Sequence, residues 1–147
     1  MTKERPLNGE KPLTQRGSPS AKKTFDLGER TARFGEEVIR FCRGLPKDPV
    51  SEPLIRQIVR SATSVGANYC EADDAISGKE FRQKIGTCKK EAKETKHWLR
   101  MIAAAEIAHA EQARVLWKES NELLLIFATI FRKVSTKTMP PRKKDER

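Results

Sequence analysis

Apolar residues recur at alternating steps of four and three in four separate segments of this chain, all between residues 25 and 133. Such steps place side chains along one face of an α-helix, whereas a half-buried strand alternates with a period of two. Each segment therefore predicts one helix with a single buried seam. The connections of roughly three to eight residues predict that neighbouring helices run antiparallel. We expect an all-α fold, an antiparallel up-down-up-down four-helix bundle.

The seams also indicate where the helices lie. The first is predicted from about Leu27 to Leu45, the second after Pro49, the third from Ser77 and the fourth from about Ala110 to Val134. The seam residues are, in order, Leu27, Thr31, Phe34, Val38, Phe41 and Leu45; Ile55, Ile58, Ala62, Val65, Tyr69 and Ala72; Phe81, Ile85, Cys88, Ala92, Thr95, Leu99 and Ile102; and Ala113, Leu116, Ser120, Leu123, Phe127 and Ile130. Asp26, Ser51 and Ser77 are the expected N-caps, and Ser77 forms a capping box with Glu80.

The charge is spread unevenly over a chain with a net charge of +10. Residues 1–24 carry six basic and two acidic residues, and residues 134–147 carry five basic and two acidic residues. Both segments lack a helical period, so we predict two disordered basic tails around a bundle of residues 25–133. That body is only mildly basic, with nineteen basic and sixteen acidic residues. Basic tails suit nucleic-acid binding, but they also serve solubility alone.

Cysteine content and hydropathy indicate where such a chain resides. It has three cysteines, and its first residues contain no apolar stretch typical of a signal peptide. The most apolar run, residues 123–131, is about half the ~20 residues that a membrane span needs. We expect a cytoplasmic protein without a membrane partner.

Two features of the second and third helices are candidate binding surfaces. At about 100° per residue, one flank of the third helix gathers the basic residues Arg82, Lys89, Lys93, Lys96 and Arg100, which we call the basic flank. The other flank carries Glu80, Glu91 and Trp98. The basic flank suits phosphate contacts, but opposite flanks of unlike charge also suit packing between identical subunits, and a solvated helix is the simplest interpretation.

The second helix contains an unusually small stretch, residues 61–68, that permits close helix approach within the bundle or between subunits. We expect a subunit interface to include Ser61, Ser64, Gly66, Asn68, Glu91 and Trp98.

No constellation of side chains predicts catalysis, a metal or a cofactor. Two Glu-x-x-His motifs, at 94–97 and 106–109, have the spacing of di-iron bundles, but both lie on one stretch of chain rather than on facing helices. Cys42, Cys70 and Cys88 form no Cys-x-x-Cys pair, so buried thiols are expected. The carboxylates at 71, 73 and 74 lie beside a polar turn and are expected to be solvated.

Three stretches carry a resemblance to a known family. Residues 25–46, residues 59–72 (VRSATSVGANYCEA) and residues 84–99 (KIGTCKKEAKETKHWL) resemble the four-helix bundle family named for 23S rRNA intervening sequences. The resemblance covers about residues 25–133 and leaves out both tails. It implies an up-down bundle that assembles into a homopentamer, from a bacterial family with members encoded inside 23S rRNA genes. The accessory protein of diversity-generating retroelements, a basic pentamer that works with RNA, is distantly similar. No catalytic residues carry over.

The leading hypothesis is a non-enzymatic homo-oligomer that binds RNA or a ribonucleoprotein through the basic flank and the tails. The alternative is a protein-interaction scaffold whose tails only aid solubility. A metal-dependent oxidoreductase is a distant third.

Overall fold

The computed structural model describes residues 26–137, with side chains through residue 134. Within that range the chain forms α1 (Leu27–Arg43), α2 (Ser51–Asp73), α3 (Gly78–Ala105), a short 3-10 turn (Ile107–His109) and α4 (Ala110–Lys137), with no strand. The all-α prediction is confirmed. The last helix continues three residues beyond its expected end at Val134. The N-terminal tail and most of the C-terminal tail lie outside the described residues.

Contacts between the helices show that consecutive helices run antiparallel. Between α2 and α3, the Ser61 and Thr95 hydroxyls lie 2.8 Å apart, while Lys84, early in α3, pairs with Glu71, late in α2, at 2.5 Å. Between α3 and α4, the Ser120 hydroxyl donates to the carbonyl of Ala92 at 2.9 Å.

The same rule holds at the other end of α3/α4, for α1/α4, and for α1/α2, where Gly35 and Gly66 lie close to Thr63 and Thr31. Arg82 near the start of α3 reaches Phe131 near the end of α4. Arg30 at the start of α1 contacts Glu119, nine residues into α4, whereas Phe41 near the end of α1 meets His109 just before α4 begins. These pairings arrange the four described helices as an up-down-up-down bundle.

The predicted seams form the core. All six seam residues of α1 are buried, and the centre of the core contains Phe34, Ile85 and Phe127, each at most 1% exposed. Ile55, Tyr69, Phe81 and Ile130 are partly buried residues that pack against this core. Burial of one helix face is dictated by local spacing, which is why the period alone located it. No described helix has the length and hydropathy that a membrane crossing requires.

Two of the three predicted caps are confirmed. The Asp26 carboxylate accepts the Glu29 amide at 3.1 Å, and the Ser77 hydroxyl accepts the Glu80 amide at 3.1 Å. The prediction for Ser51 was wrong, because Asp48 accepts the backbone amide of Ser51 at 2.8 Å in its place. Ser51 is buried and donates its hydroxyl to Glu106 at 2.5 Å, which ties the start of α2 to the end of α3.

The small stretch of α2 permits a close approach to α1. A Cβ added at Gly66 would lie 3.3 Å from the Thr31 hydroxyl oxygen and 3.5 Å from the Thr31 carbonyl carbon. One at Gly35 would lie 3.7 Å from the Thr63 Cα. Gly66 therefore serves helix packing within one subunit.

Helices α1 and α4 are separated along part of their length by open grooves. One groove of about 580 Å³ is lined by Phe34, Val115 and charged side chains of both helices. A second, of about 540 Å³, is lined mainly by apolar residues, Leu27, Tyr69, Leu125, Ile126 and Ile130 among them. Leu125, in the second groove, is 57% exposed, and Val115, in the first, is 62% exposed. We call the second groove the α1/α4 groove, and it leaves apolar side chains uncovered between the two helices.

Candidate nucleic-acid interface

The basic flank lies along the junction between α3 and α4. Arg82, Lys89 and Lys96 are partly buried against α4, whereas Lys93 and Arg100 are exposed. The five residues predicted from the sequence therefore share one face of the bundle. Because the seam of α3 points into the core, a flank about 90° away must meet the neighbouring helix.

Aromatic rings of α4 hold the half-buried cations in place. The Arg82 guanidinium carbon lies 3.8 Å from the Phe131 ring centroid, and the Lys89 ammonium lies 4.9 Å from it. The Lys96 ammonium lies 4.6 Å from the Trp117 ring centroid and donates to the Asn121 side chain at 2.8 Å. Cation–π contacts leave the positive charge uncompensated, in contrast to an ion pair.

No carboxylate neutralises this face within residues 26–134. None of the five basic-flank residues forms a salt bridge there, and the Arg82 Nε atom is buried without a hydrogen-bond acceptor. Helix α4 adds Arg114 and Lys118, which are exposed. These two residues were not predicted from the sequence. Their helical-wheel positions, roughly 150° to 190° from the α4 seam, indicate that they point to solvent.

The opposite flank of α3 is engaged by α2. Arg60 donates to Glu91 at 3.3 Å and forms a shorter hydrogen bond with Glu94. The Trp98 indole also donates to Glu94, at 2.9 Å. The indole bond, together with Arg60, lowers the pKa of Glu94, while the bond to Glu94 raises the pKa of Arg60. Glu91 and Trp98, expected at a subunit interface, therefore already have partners within the subunit.

The other residues expected at an interface are placed as follows. Ser61 is fully buried, and its hydroxyl contacts Thr95, so it has no surface to offer a second copy of the chain. Ser64 and Asn68 are half-buried and bond to each other, the Asn68 amide donating to the Ser64 hydroxyl at 3.0 Å. Gly66 lies against Thr31.

One ion-pair cluster links α1 to α4. Arg30 donates to both carboxylate oxygens of Glu119, at 2.8 and 2.9 Å, and to Glu122 at 2.7 Å. The hydrogen bond with Glu119 is the main cause of a raised pKa at Arg30. Since a bidentate pair fixes the orientation of both side chains, this cluster sets the spacing of the two helices beside the open groove.

The residues weighed for catalysis or metal binding do not converge. No group of three or more metal-ligating side chains occurs among the described residues. Burial raises the pKa of the Cys42 thiol to about 11 and that of Cys88 to about 12, so both are protonated at neutral pH. Cys70 is exposed, so the prediction of a buried thiol was wrong at this position.

These features define the class of the protein: a four-helix bundle with one basic face that is braced by aromatic rings and not neutralised. The chain belongs to the 23S rRNA-intervening sequence protein family, whose model matches residues 23–128. A crystal structure from Bacteroides thetaiotaomicron, described as a protein with unknown function from the S23 ribosomal protein family, is similar to it. The two share 29% sequence identity and a TM-score of 0.63, over 71% of this chain and 97% of that one. No curated protein matches the chain.

Proposed function

We propose that this protein is a non-enzymatic, homo-oligomeric bundle that binds RNA, alone or within a ribonucleoprotein, through the face formed by α3 and α4. The observation that supports the proposal is a set of cations without carboxylate partners in the described residues. These are Arg82, Lys89, Lys93, Lys96, Arg100, Arg114 and Lys118. Elsewhere on the bundle, Arg30, Arg60 and Lys84 are paired with glutamates, whereas Arg40 and Arg56 are exposed and form no salt bridge among the described residues.

Uncompensated cations on one rigid face attract a polyanion in a salt-dependent way. Each phosphate that they neutralise releases condensed counterions, so the logarithm of affinity falls by about 0.7 to 0.9 per contact for each tenfold rise in salt. Family membership supports RNA as the polyanion, because the family is named for ribosomal RNA sequences.

A titration with ribosomal RNA at two salt concentrations tests the proposal. Lys93→Gln/Arg100→Gln removes two exposed charges from the face and should weaken binding and reduce the salt slope. Arg40→Gln/Arg56→Gln removes two exposed charges from α1 and α2 on the opposite side. It should change the RNA affinity and the salt slope far less. Equal effects of the two double variants would contradict binding through the α3/α4 face.

Self-association is the second part of the proposal, with five copies as the resemblance implies. The α1/α4 groove supports it, since an apolar surface of this kind is stabilised by a partner that excludes water. Leu125→Glu should therefore lower the mass measured by light scattering. Ile76→Glu places the same charge on a loop residue that is 92% exposed, and should leave the mass unchanged. A wild-type monomer at micromolar concentration would contradict this part.

A protein-interaction scaffold is the second candidate function, and the same apolar groove favours it. The two functions differ in the RNA titration. Absence of RNA binding by the full-length protein at low salt would leave the scaffold as the function.

A further inference from the structure

A cavity at one end of the α3/α4 face differs from the rest of that face. It has a volume of about 380 Å³ and lies beside the connection between the two helices. Its lining is formed by Leu99, Arg100, Ala103, Ala110, Ala113, Arg114, Trp117 and Lys118. We call it the Trp117 cavity. Its volume is within the roughly 300–1,000 Å³ typical of sites for small molecules.

We propose that the Trp117 cavity receives an unpaired base of a single-stranded nucleic acid, stacked on the Trp117 ring, while Arg100, Arg114 and Lys118 contact the flanking phosphates. This inference rests on the proposed function and names the form of nucleic acid that the face recognises. Aromatic stacking is the common means by which proteins hold unpaired bases.

The chemistry of the lining distinguishes a nucleotide from other ligands. Small side chains, Ala103, Ala110 and Ala113, leave room beside the indole, and Leu99 closes the apolar floor. The charged members are all cations, and no carboxylate of the described residues lines the cavity. The 580 Å³ groove between α1 and α4 differs, because five carboxylates line it beside three cations, of which Lys118 borders both surfaces.

Trp117 is placed to stack. Its ring is half-buried and anchored by packing against the core, and the Lys96 ammonium lies 4.6 Å from its centroid. A fixed ring loses little freedom when a base stacks on it, and a nearby cation adds attraction for the adjoining phosphate. A duplex hides the faces of its bases, so only an unpaired base can use the cavity.

Tryptophan fluorescence tests the inference directly. The chain has two tryptophans, and Trp98→Phe leaves Trp117 as the single emitter. Full-length protein with this change is titrated with a short single-stranded RNA, the same sequence as DNA, and a duplex of equal phosphate number. We expect both single strands to quench Trp117 and to bind roughly tenfold or more tightly than the duplex.

A matched pair of variants separates stacking from charge. Trp117→Leu should reduce single-strand affinity roughly tenfold without changing duplex affinity, and Trp117→Phe should retain most of it. Arg114→Gln, an exposed change that spares the core, should weaken single-strand binding and reduce its salt slope. Circular dichroism verifies that each variant is folded.

Three outcomes would overturn the inference. Equal binding of single strand and duplex without quenching would keep RNA binding but remove the base site. Equal quenching by a polyglutamate peptide would assign the cavity to an acidic protein partner. Absence of binding by every nucleic acid would reject the proposed function together with this site.

Discussion

Arg60 of α2 donates hydrogen bonds to two carboxylates of α3, Glu91 and Glu94. The Trp98 indole completes the set by donating to Glu94. Hydrogen bonds from the Trp98 indole and from Arg60 stabilise the ionised carboxylate, which lowers the pKa of Glu94. At the residue scale, the acidic side of α3 is therefore neutralised and the basic side is not.

Glu94 should make the stability of the fold sensitive to acid. Because its folded-state pKa lies below the ordinary value of 4.5, the ionised form contributes stability above that pH and loses it as the pH falls through the folded-state pKa. The free energy of unfolding of the wild type should fall more steeply below about pH 5 than that of Glu94→Gln. Urea unfolding at pH 7 and at a series of lower pH values measures this free energy of unfolding. Glu36→Gln, at an exposed position of α1, is the control, and an identical pH profile for both variants would argue against the role of Glu94.

Gly66 should tolerate no large side chain. A branched side chain there would meet Thr31 of α1, so Gly66→Leu should destabilise the protein by roughly 1–3 kcal/mol through overpacking. Gly28→Ala is the matched control, because its added Cβ meets only the Asp26 carboxylate at 3.8 Å, and it should be neutral or stabilising. The denaturant midpoints of Gly66→Leu and Gly28→Ala measure the difference in stability between the two variants. Unchanged stability in Gly66→Leu would show that α1 and α2 can move apart freely.

At the element scale, the start of α2 depends on a residue outside the helix. The Asp48 carboxylate accepts the amides of Val50 and Ser51, which the first turn would otherwise leave unpaired. Asp48→Ala should therefore lower the free energy of unfolding by about 1 kcal/mol. Asp74→Ala changes an exposed aspartate beyond the end of the same helix, and should cost less. Equal losses in the two variants would contradict the capping role.

The sequence predicted the elements well and their partners poorly. Helical period is local, so Phe34, Ile85 and Phe127 could be assigned to the core without any tertiary information. The Ser51 cap failed because a residue suited to capping was taken into the core by a hydrogen bond to Glu106, which lies 55 positions away. Such a contact has no signature in the local sequence.

The candidate site shows the same division between local and tertiary information. The basic flank was predictable because its five residues share one helix and one angle around it. The Trp117 cavity was not, since it needs side chains of α3 and α4 together. Trp117 is not among the predicted seam residues of the fourth helix, and the role proposed for it follows from its contact with Lys96 and its place in the cavity.

At the scale of the whole molecule, either the bundle or the tails carry the proposed affinity for RNA. Residues 1–25 and 138–147 lie outside the described range and contain ten basic and four acidic residues, so they hold +6 of the net +10. A chain of residues 26–137 retains the four described helices and the complete α3/α4 face. If the face binds RNA as proposed, this chain keeps measurable binding, because the cations of the α3/α4 face have no carboxylate partners among the described residues.

The truncated chain should bind RNA more weakly than the full-length protein and with a shallower salt dependence, since tail contacts each contribute about 0.7 to 0.9 to the slope. Filter binding at several salt concentrations measures both quantities. Adding Lys93→Gln/Arg100→Gln to the truncated chain should then remove most of the remaining affinity, whereas Arg40→Gln/Arg56→Gln should not. Self-association multiplies weak contacts, so all chains are compared at matched oligomeric state by light scattering. Complete loss of binding on truncation would assign RNA binding to the tails and leave the α3/α4 face without that function.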